Sequence, residues 1–226
     1  MKTYRLNKIV LRVFNNAEKF LNGLTSNTLD AAQNAFVNLH GRIVATFDQT
    51  KIADDEFLIV IDALAFDGLM AHIQKFLMLN KTSTQKMDLK AYWDLDRSHQ
   101  LRAGEYAIEQ KAGRMILSPN ELASSVSQNE FTQYRLEQGI PLFGIDYKAD
   151  DFLLNVDEYR FVSYTKGCFL GQEPIAKVHN RSKPTWKLAV QFQDELTPEE
   201  QAKMTSKILD PLSLKVMGFV FVKNLF

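Results

Sequence analysis

Apolar and polar positions along this chain alternate in short blocks that predict an α+β protein. Residues 6–14 and 56–61 have the length and β-branched content of strands. Residues 35–39 and 43–47 lie on either side of an Asn-Leu-His-Gly turn, as in a β-hairpin. From residue 63 to about 79, apolar side chains recur at helical spacing. Strands and helices that alternate over hairpins predict split βαβ layers.

Shorter blocks predict further elements. A helix over residues 130–138 is expected to begin after Asn129 and to stop at Gly139, because these residue types cap the two helix ends. Asp62 is expected to cap the longer helix in the same way. The acidic segment from residue 146 to 158 has no clear periodicity and is expected to be irregular. The other expected elements are a helix at 17–22, a hairpin at 105–110 and 114–117, and strands at 186–192 and 214–222.

Composition excludes several classes of protein. The 226 residues include 27 basic and 27 acidic side chains, so the neutral total gives no reason to expect wholesale binding to nucleic acid or membranes. One cysteine excludes an intramolecular disulfide scaffold. No apolar run approaches the roughly 18 residues that a membrane helix needs. The first acid is Glu18, as in some transit peptides, but the strand predicted from residue 6 leaves little to cleave, so a cytoplasmic protein is expected.

The candidate chemistry lies between residues 166 and 173, which read Lys-Gly-Cys-Phe-Leu-Gly-Gln-Glu. Pro174 suits the first turn of a helix, which would place Cys168 shortly before a helix N-terminus and two residues from Lys166. Positive charge and the helix dipole both favour thiolate, so Cys168 and Lys166 are the candidate catalytic residues. The alternative is that Cys168 is a small buried hydrophobic residue. Four scattered histidines and one cysteine show no metal-ligand spacing, and no metal site is predicted.

Charge is unevenly distributed over residues 166–187. This stretch has a net charge of +4, because it contains five basic residues and one acid, Glu173. A solvated face would explain it, and so would a site for an anion such as a polyglutamate tail or a phosphate backbone. The basic residues are Lys166, Lys177, Arg181, Lys183 and Lys187.

Four segments together resemble the YgfZ family, which in mitochondria includes an iron–sulfur assembly factor. The resemblance extends in order over residues 5–190. The family shares its fold with the T-protein of the glycine cleavage system, a folate-dependent aminomethyltransferase whose layers surround a central hole. The four segments are Lys166–Glu173, Tyr134–Pro141 with Gly144-Ile145-Asp146 after it, the opening stretch Ala17–Thr28, and Gly41-Arg42-Ile43.

The resemblance implies an α+β, T-protein-like folate-binding fold. Residues 1–184 would form the folate-binding region, and residues 185–226 a shortened, barrel-like C-terminal β module with Gly218 as its sole glycine. Tetrahydrofolate is the implied cofactor. Glu137 would hydrogen-bond the pterin edge and would border one central cavity together with Cys168. The other implied folate-binding residues are Arg135, Asn27, Gln172 and Arg181.

One departure argues against aminomethyl transfer. T-proteins carry a catalytic aspartate in the strand after the hairpin glycine, whereas residues 41–47 contain no acid and Asp48 follows them. The first hypothesis is therefore a folate-binding accessory protein for iron–sulfur enzymes or their assembly machinery, with Cys168 essential. The alternatives are a folate-dependent one-carbon transferase, which would need Asp48 near Thr46, and a factor associated with tRNA modification.

Overall fold

Three antiparallel sheets and six α-helices make up residues 2–224, the part of the chain that a computed structural model describes. The five-stranded sheet has the spatial order β3 (Gln33–Val37), β4 (Ile43–Ala53), β5 (Glu56–Asp62), β2 (Lys8–Phe14) and β6 (Ser83–Met87). The four-stranded sheet has the order β1 (Thr3–Leu6), β7 (Lys90–Asp94), β9 (Arg114–Ser118) and β8 (Tyr106–Glu109). The three-stranded sheet has the order β10 (Trp186–Phe192), β12 (Val216–Lys223) and β11 (Thr205–Leu209).

The helices cover these sheets and connect them. They are α1 (Ala17–Leu24), α2 (Phe66–Asn80), α3 (Gln128–Gln138), α4 (Leu153–Phe161), α5 (Gln172–Lys177) and α6 (Pro198–Lys203). None of the helices within residues 2–224 is long and apolar enough to cross a membrane.

Strand β5 lies between two hydrophobic cores, which explains its unbroken apolar run. Phe57 and Ile59 pack into the first core, with the helices α1 and α2. Leu58 and Val60 point the opposite way, into the core under the four-stranded sheet. Because successive strand residues face opposite sides, only a strand that is covered on both faces can be apolar throughout.

Most of the predicted elements are confirmed, and the differences have local causes. The expected strand 6–14 divides into β1 and β2, which belong to different sheets. The expected cap at Asn129 is wrong, because Ser127 and Glu130 form a capping box that starts α3 earlier. Asp62 does cap its turn, accepting a hydrogen bond from the Leu64 amide at 3.0 Å. The acidic segment that was expected to be irregular contains α4.

The three-stranded sheet, which we call the C-terminal module, lies within residues 185–226, where such a module was predicted, and it packs against α3. Leu136 forms a small core with Met217 and Phe219 of β12. Beside this core, the Arg135 guanidinium donates to the Ser206 hydroxyl at 2.9 Å. The helix therefore connects the module to the rest of the fold through both apolar and polar contacts.

Candidate functional site

The loop before α5 exposes the only cysteine and is anchored on both sides of it. Cys168 is exposed to solvent, which excludes the interpretation that it is a buried hydrophobic residue. Phe169, immediately after it, is only 7% exposed and belongs to the first core. The Leu170 amide donates to the Gly23 carbonyl at 3.0 Å. The thiol is therefore held at the surface by a fixed backbone.

Gly171 brings this loop into direct contact with the β3–β4 hairpin. Its φ is +83°, and a Cβ placed there would overlap the Asn38 carbonyl oxygen. Only glycine permits both the positive φ and this close approach. Gly41 is also packed against the residues that follow the loop, since its Cβ would lie 3.0 Å from a side-chain carbon of Ile175 in α5. Two of the segments that carry the family resemblance therefore meet here.

Lys166 connects the loop to another segment that carries the resemblance, Ala17–Thr28. Its Nζ donates to the Thr25 carbonyl at 2.6 Å and to the Asn27 carbonyl at 2.8 Å. It also lies 5.4 Å from the centre of the Phe169 ring. Burial lowers the pKa of the Lys166 ammonium from 10.5 to about 8. These contacts show Lys166 supporting the loop that carries the thiol.

Asn27, a predicted folate-binding residue, is buried and hydrogen-bonded within the protein. Its Nδ2 donates to the Gln33 carbonyl at 3.0 Å and to the Arg160 carbonyl at 3.1 Å. Its Oδ1 accepts from the Thr28 amide at 2.9 Å. Both ends of the side chain are thus used within the protein, and the bond to Arg160 connects the turn after α1 to the end of α4.

Arg135, another predicted folate-binding residue, is 2% exposed. Its Nη1 pairs with the Asp146 carboxylate at 2.8 Å and donates to the Ile140 carbonyl at 3.0 Å. Thr205 and Ser206 of the C-terminal module also donate to Asp146. In this arrangement Arg135 and Asp146 connect the module to the end of α3.

Glu137 lies on the exposed side of α3, where Gln133 donates to it at 2.9 Å. It lines a surface hollow together with Lys2 and Tyr134, and Cys168 is not part of that hollow. Glu137 and Cys168 were expected to share one cavity, and this hollow, which contains Glu137, is not shared with Cys168.

The remaining predicted residues lie on the surface near the thiol loop. Gln172 begins α5 and is partly exposed, and Arg181 is exposed in a π-helical turn that follows α5. Neither side chain has a hydrogen bond or ion pair to another residue between positions 2 and 224. We define the basic surface as four exposed cations of this region, Lys177, Arg181, Lys183 and Lys187, none of which has an ion pair within residues 2–224.

A small polar cavity occupies the middle of the fold. The Thr46 and Tyr147 hydroxyls, which both line it, are hydrogen-bonded to each other at 2.6 Å. Burial raises the pKa of the Tyr147 phenol. Asp48 also lines it, because β4 continues to Ala53 and places Asp48 on the same face as Thr46. The Gln110 amide donates to the Asp48 carboxylate at 2.9 Å. The contributions of Gln110 and Tyr147 were not predicted, and no local pattern in the sequence indicates them.

The size of this cavity bears on the implied cofactor. Its volume is about 20 Å³, which is enough for about one water molecule. The bicyclic pterin of a folate does not fit between these side chains as they are arranged. Within residues 2–224 there is also no group of three or more His, Cys, Asp or Glu side chains that would hold a metal ion.

The chain is similar in sequence to two curated proteins. No family model matches the chain. It is 27% identical over 198 residues to the mitochondrial iron–sulfur cluster assembly factor IBA57 homolog of Mycosarcoma maydis, covering 72% of this chain and 49% of that protein. The IBA57 homolog of Dictyostelium discoideum is 23% identical over 201 residues, covering 76% and 49%. The chain thus spans about half the length of the curated relatives it matches.

A solved structure shows the fold. The glycine cleavage system aminomethyltransferase T from Bartonella henselae superposes with a TM-score of 0.70, covering 98% of this chain and 78% of that one, at 13% identity. This confirms the T-protein fold, and the similarity to the IBA57 homologues confirms the resemblance to the YgfZ family.

Proposed function

We propose that this T-protein-fold chain is an accessory protein for the assembly or repair of iron–sulfur clusters, with Cys168 as its functional thiol. The observation that carries the proposal is an exposed cysteine on a loop that two other resemblance-carrying segments hold in place. The similarity to proteins named as iron–sulfur cluster assembly factors supports it.

The exposed thiol is suited to contact a partner or its cluster. A cysteine that only filled space would be buried, whereas the thiolate of an exposed one is a nucleophile and a metal ligand. One thiolate supplies one ligand, so a cluster held at Cys168 would take its other ligands from a second protein. The proposed partners are therefore iron–sulfur enzymes or their assembly machinery.

Folate has no assigned step in this function. The central cavity does not fit a pterin, and Arg135 and Asn27 are both buried and hydrogen-bonded to other residues of the protein. Titration of the purified chain with tetrahydrofolate, followed by calorimetry, tests the folate-binding expectation directly. Binding that Glu137→Ala weakens would assign the site to the outer face of α3 instead.

The alternatives have less support. Asp48 does lie near Thr46, as a transferase would need, but its carboxylate accepts from Gln33 and Gln110 in a cavity of about 20 Å³. A role in tRNA modification has the basic surface as its only support.

The test of the proposed function is complementation of cells in which the gene is deleted. We expect Cys168→Ser to accumulate normally but to leave the activity of a cluster-containing enzyme at the level of the deletion strain. Thr165→Ala, on the same loop, is the matched control and should restore activity. Full restoration by Cys168→Ser would refute the role of the thiol.

A further inference from the structure

The segment that carries the thiol is closed at its two ends by a contact between side chains. It runs from Tyr164 to His179 and contains both Cys168 and the helix α5. The rings of Tyr164 and His179 stack with their centres 3.7 Å apart and their planes at 23°. Compact surface loops of about 6–16 residues commonly have ends that lie close together. The stacked pair therefore fixes how the two ends of this segment lie relative to each other.

A carboxylate of α4 holds both rings of this pair. Glu158 Oε2 accepts from the Tyr164 hydroxyl at 3.2 Å and lies 3.3 Å from His179 Nδ1. Because an ionised carboxylate only accepts hydrogen bonds, Nδ1 is the donor in the second contact. Burial and the neighbouring Glu158 charge raise the pKa of the Tyr164 phenol, which therefore keeps the proton that it donates. We call Glu158, Tyr164 and His179 together the clamp.

The clamp is shielded from solvent without being part of a hydrophobic core. The side chains of Glu158 and His179 are 12% and 26% exposed. Tyr164 is 38% exposed and is not among the residues of the three cores that residues 2–224 form. Contacts between partly buried charged groups are screened less by salt than contacts at the open surface. The clamp therefore joins three elements at the surface and fills no space in the interior.

The turn that presents His179 has an unusual backbone. Residues 178–182 form a single π-helical turn, a rare element that occurs frequently at functional sites. The turn ends at Lys183, whose φ of +59° is uncommon for a residue with a side chain. The Lys183 amide donates to the Val178 carbonyl at 2.7 Å and closes the turn. Such a backbone persists where its surroundings fix it, so the turn is a firm support for the ring of His179.

The clamp and the inner anchors hold the thiol segment from two sides. Lys166 and Phe169 attach its middle to the interior, through the Thr25 carbonyl and the first core. The clamp attaches its two ends to each other and to α4. A functional side chain keeps its orientation only when the residues around it are themselves held by packing and hydrogen bonds.

We propose that the clamp sets the position of Cys168 for its encounter with a partner protein, an inference that rests on the function proposed for this thiol. Glu158, Tyr164 and His179 would act through the loop and not by touching the partner's cluster, so they are positioning residues. Opening the clamp should leave the fold and the thiol intact but let the loop move over a wider range.

The first test measures the motion of the loop directly. Because Cys168 is the only cysteine, a nitroxide attached to the purified chain through its thiol reports on this loop alone. In electron paramagnetic resonance, we expect His179→Ala to shorten the correlation time of the label at least about twofold, since released loops move on the nanosecond timescale. Tyr159→Ala, which removes a tyrosine of α4 that is 89% exposed, is the matched control and should leave the spectrum unchanged. Equal label motion in the wild type and His179→Ala would overturn the proposal.

Further variants show whether the residues act as a unit. If Tyr164 and His179 act through each other, Tyr164→Ala with His179→Ala should mobilise the label no more than either substitution alone. His179→Phe keeps a ring that stacks on Tyr164 and should restore slower motion. Effects of the two alanine substitutions that add would refute the clamp. If the alanine variants fail to fold, Tyr164→Phe decides, because it keeps the stack and removes only the bond to Glu158. A spectrum identical to that of the wild type would then overturn the proposal.

Complementation separates this inference from the proposed function. We expect unlabelled His179→Ala to accumulate normally and to restore at least about twofold less cluster-enzyme activity than the wild type, because a misplaced functional group acts less efficiently. Full restoration by His179→Ala, where Cys168→Ser restores none, would refute the clamp and leave the role of the thiol standing. Full restoration by Cys168→Ser would refute the role of the thiol, and the functional role of the clamp with it.

Discussion

Two of the segments that carry the family resemblance differ in burial: one places its key side chain inside the protein and the other places it at the surface. The segment after Tyr134 buries Arg135, which pairs with Asp146 and connects the C-terminal module to α3. The segment after Lys166 exposes Cys168 on a loop whose neighbours are fixed. The difference shows that a motif can mark a structural junction, and that burial distinguishes such a position from an exposed candidate site.

The free-energy cost of substitution should differ accordingly. A buried charge that loses its partner is left desolvated and uncompensated, which destabilises a protein strongly. An exposed thiol makes few contacts, so its loss should affect function and leave stability nearly unchanged. We therefore expect substitutions at the buried ion pair to destabilise the fold more than substitutions at the exposed thiol.

The largest effect is expected at the buried ion pair. Asp146→Ala removes the carboxylate that accepts from Arg135, Thr205 and Ser206, and should lower the free energy of unfolding by about 3–5 kcal/mol in urea titrations. Replacing both charges, by Arg135→Met with Asp146→Leu, should recover part of the loss. Glu137→Ala, on the exposed side of the same helix, is the control and should stay within about 0.5 kcal/mol. An exposed ion pair contributes at most about 1 kcal/mol. A loss no larger than this for Asp146→Ala would show that the buried pair stabilises the fold no more than an exposed one.

The glycines on either side of Cys168 should differ in their tolerance of a side chain. Gly171→Ala should destabilise the fold by roughly 1–3 kcal/mol from its positive φ alone, and further because its Cβ would meet the Asn38 carbonyl. At Gly167 a Cβ would have no atom within 4 Å and the φ lies outside the left-handed region, so Gly167→Ala should be nearly neutral. Equal melting temperatures for the two variants would show that the loop is not fixed at Gly171.

Lys166 should give the thiol loop a measurable pH dependence. The lysine stays charged in the unfolded chain up to about pH 10.5, but its pKa is about 8 in the folded protein. Between these pH values unfolding takes up a proton, so the contribution of Lys166 to stability should rise as pH rises through that window. Urea titrations at pH 7.5–10.5 of the Cys168→Ser protein, with and without Lys166→Met, isolate the contribution of Lys166 to the free energy of unfolding. A stability difference between the two proteins that stays constant over this range would contradict the lowered pKa.

The smallest effect is expected at the thiol itself. Cys168 is exposed, and Cys168→Ser should change the free energy of unfolding by less than about 0.5 kcal/mol. Thermal and urea unfolding of the purified variant measure this. A fall of several kcal/mol would mean that the side chain packs into the core after all, and would attribute any loss of function to instability.

Much of the fold was predictable because its signals are local. The apolar run of β5, the Asp62 cap and the Gly139 helix end each depend on residues within a few positions of one another. The helix α4 was missed because its apolar residues face both the first core and the C-terminal module, so no single-sided periodicity marks it in the sequence.

What the sequence by itself determined was the set of local elements, the motif segments and the one available thiol. Only the tertiary structure decided that Cys168 is exposed, that Arg135 and Asn27 are used internally, and that the central cavity has a volume of only about 20 Å³. The physical reason is the range of the interactions. Helix caps and turns are set by near neighbours, whereas Arg135 reaches Ser206 across 71 positions and Thr46 meets Tyr147 across 101. Whether a side chain is buried depends on which distant residues cover it, and no local pattern records them.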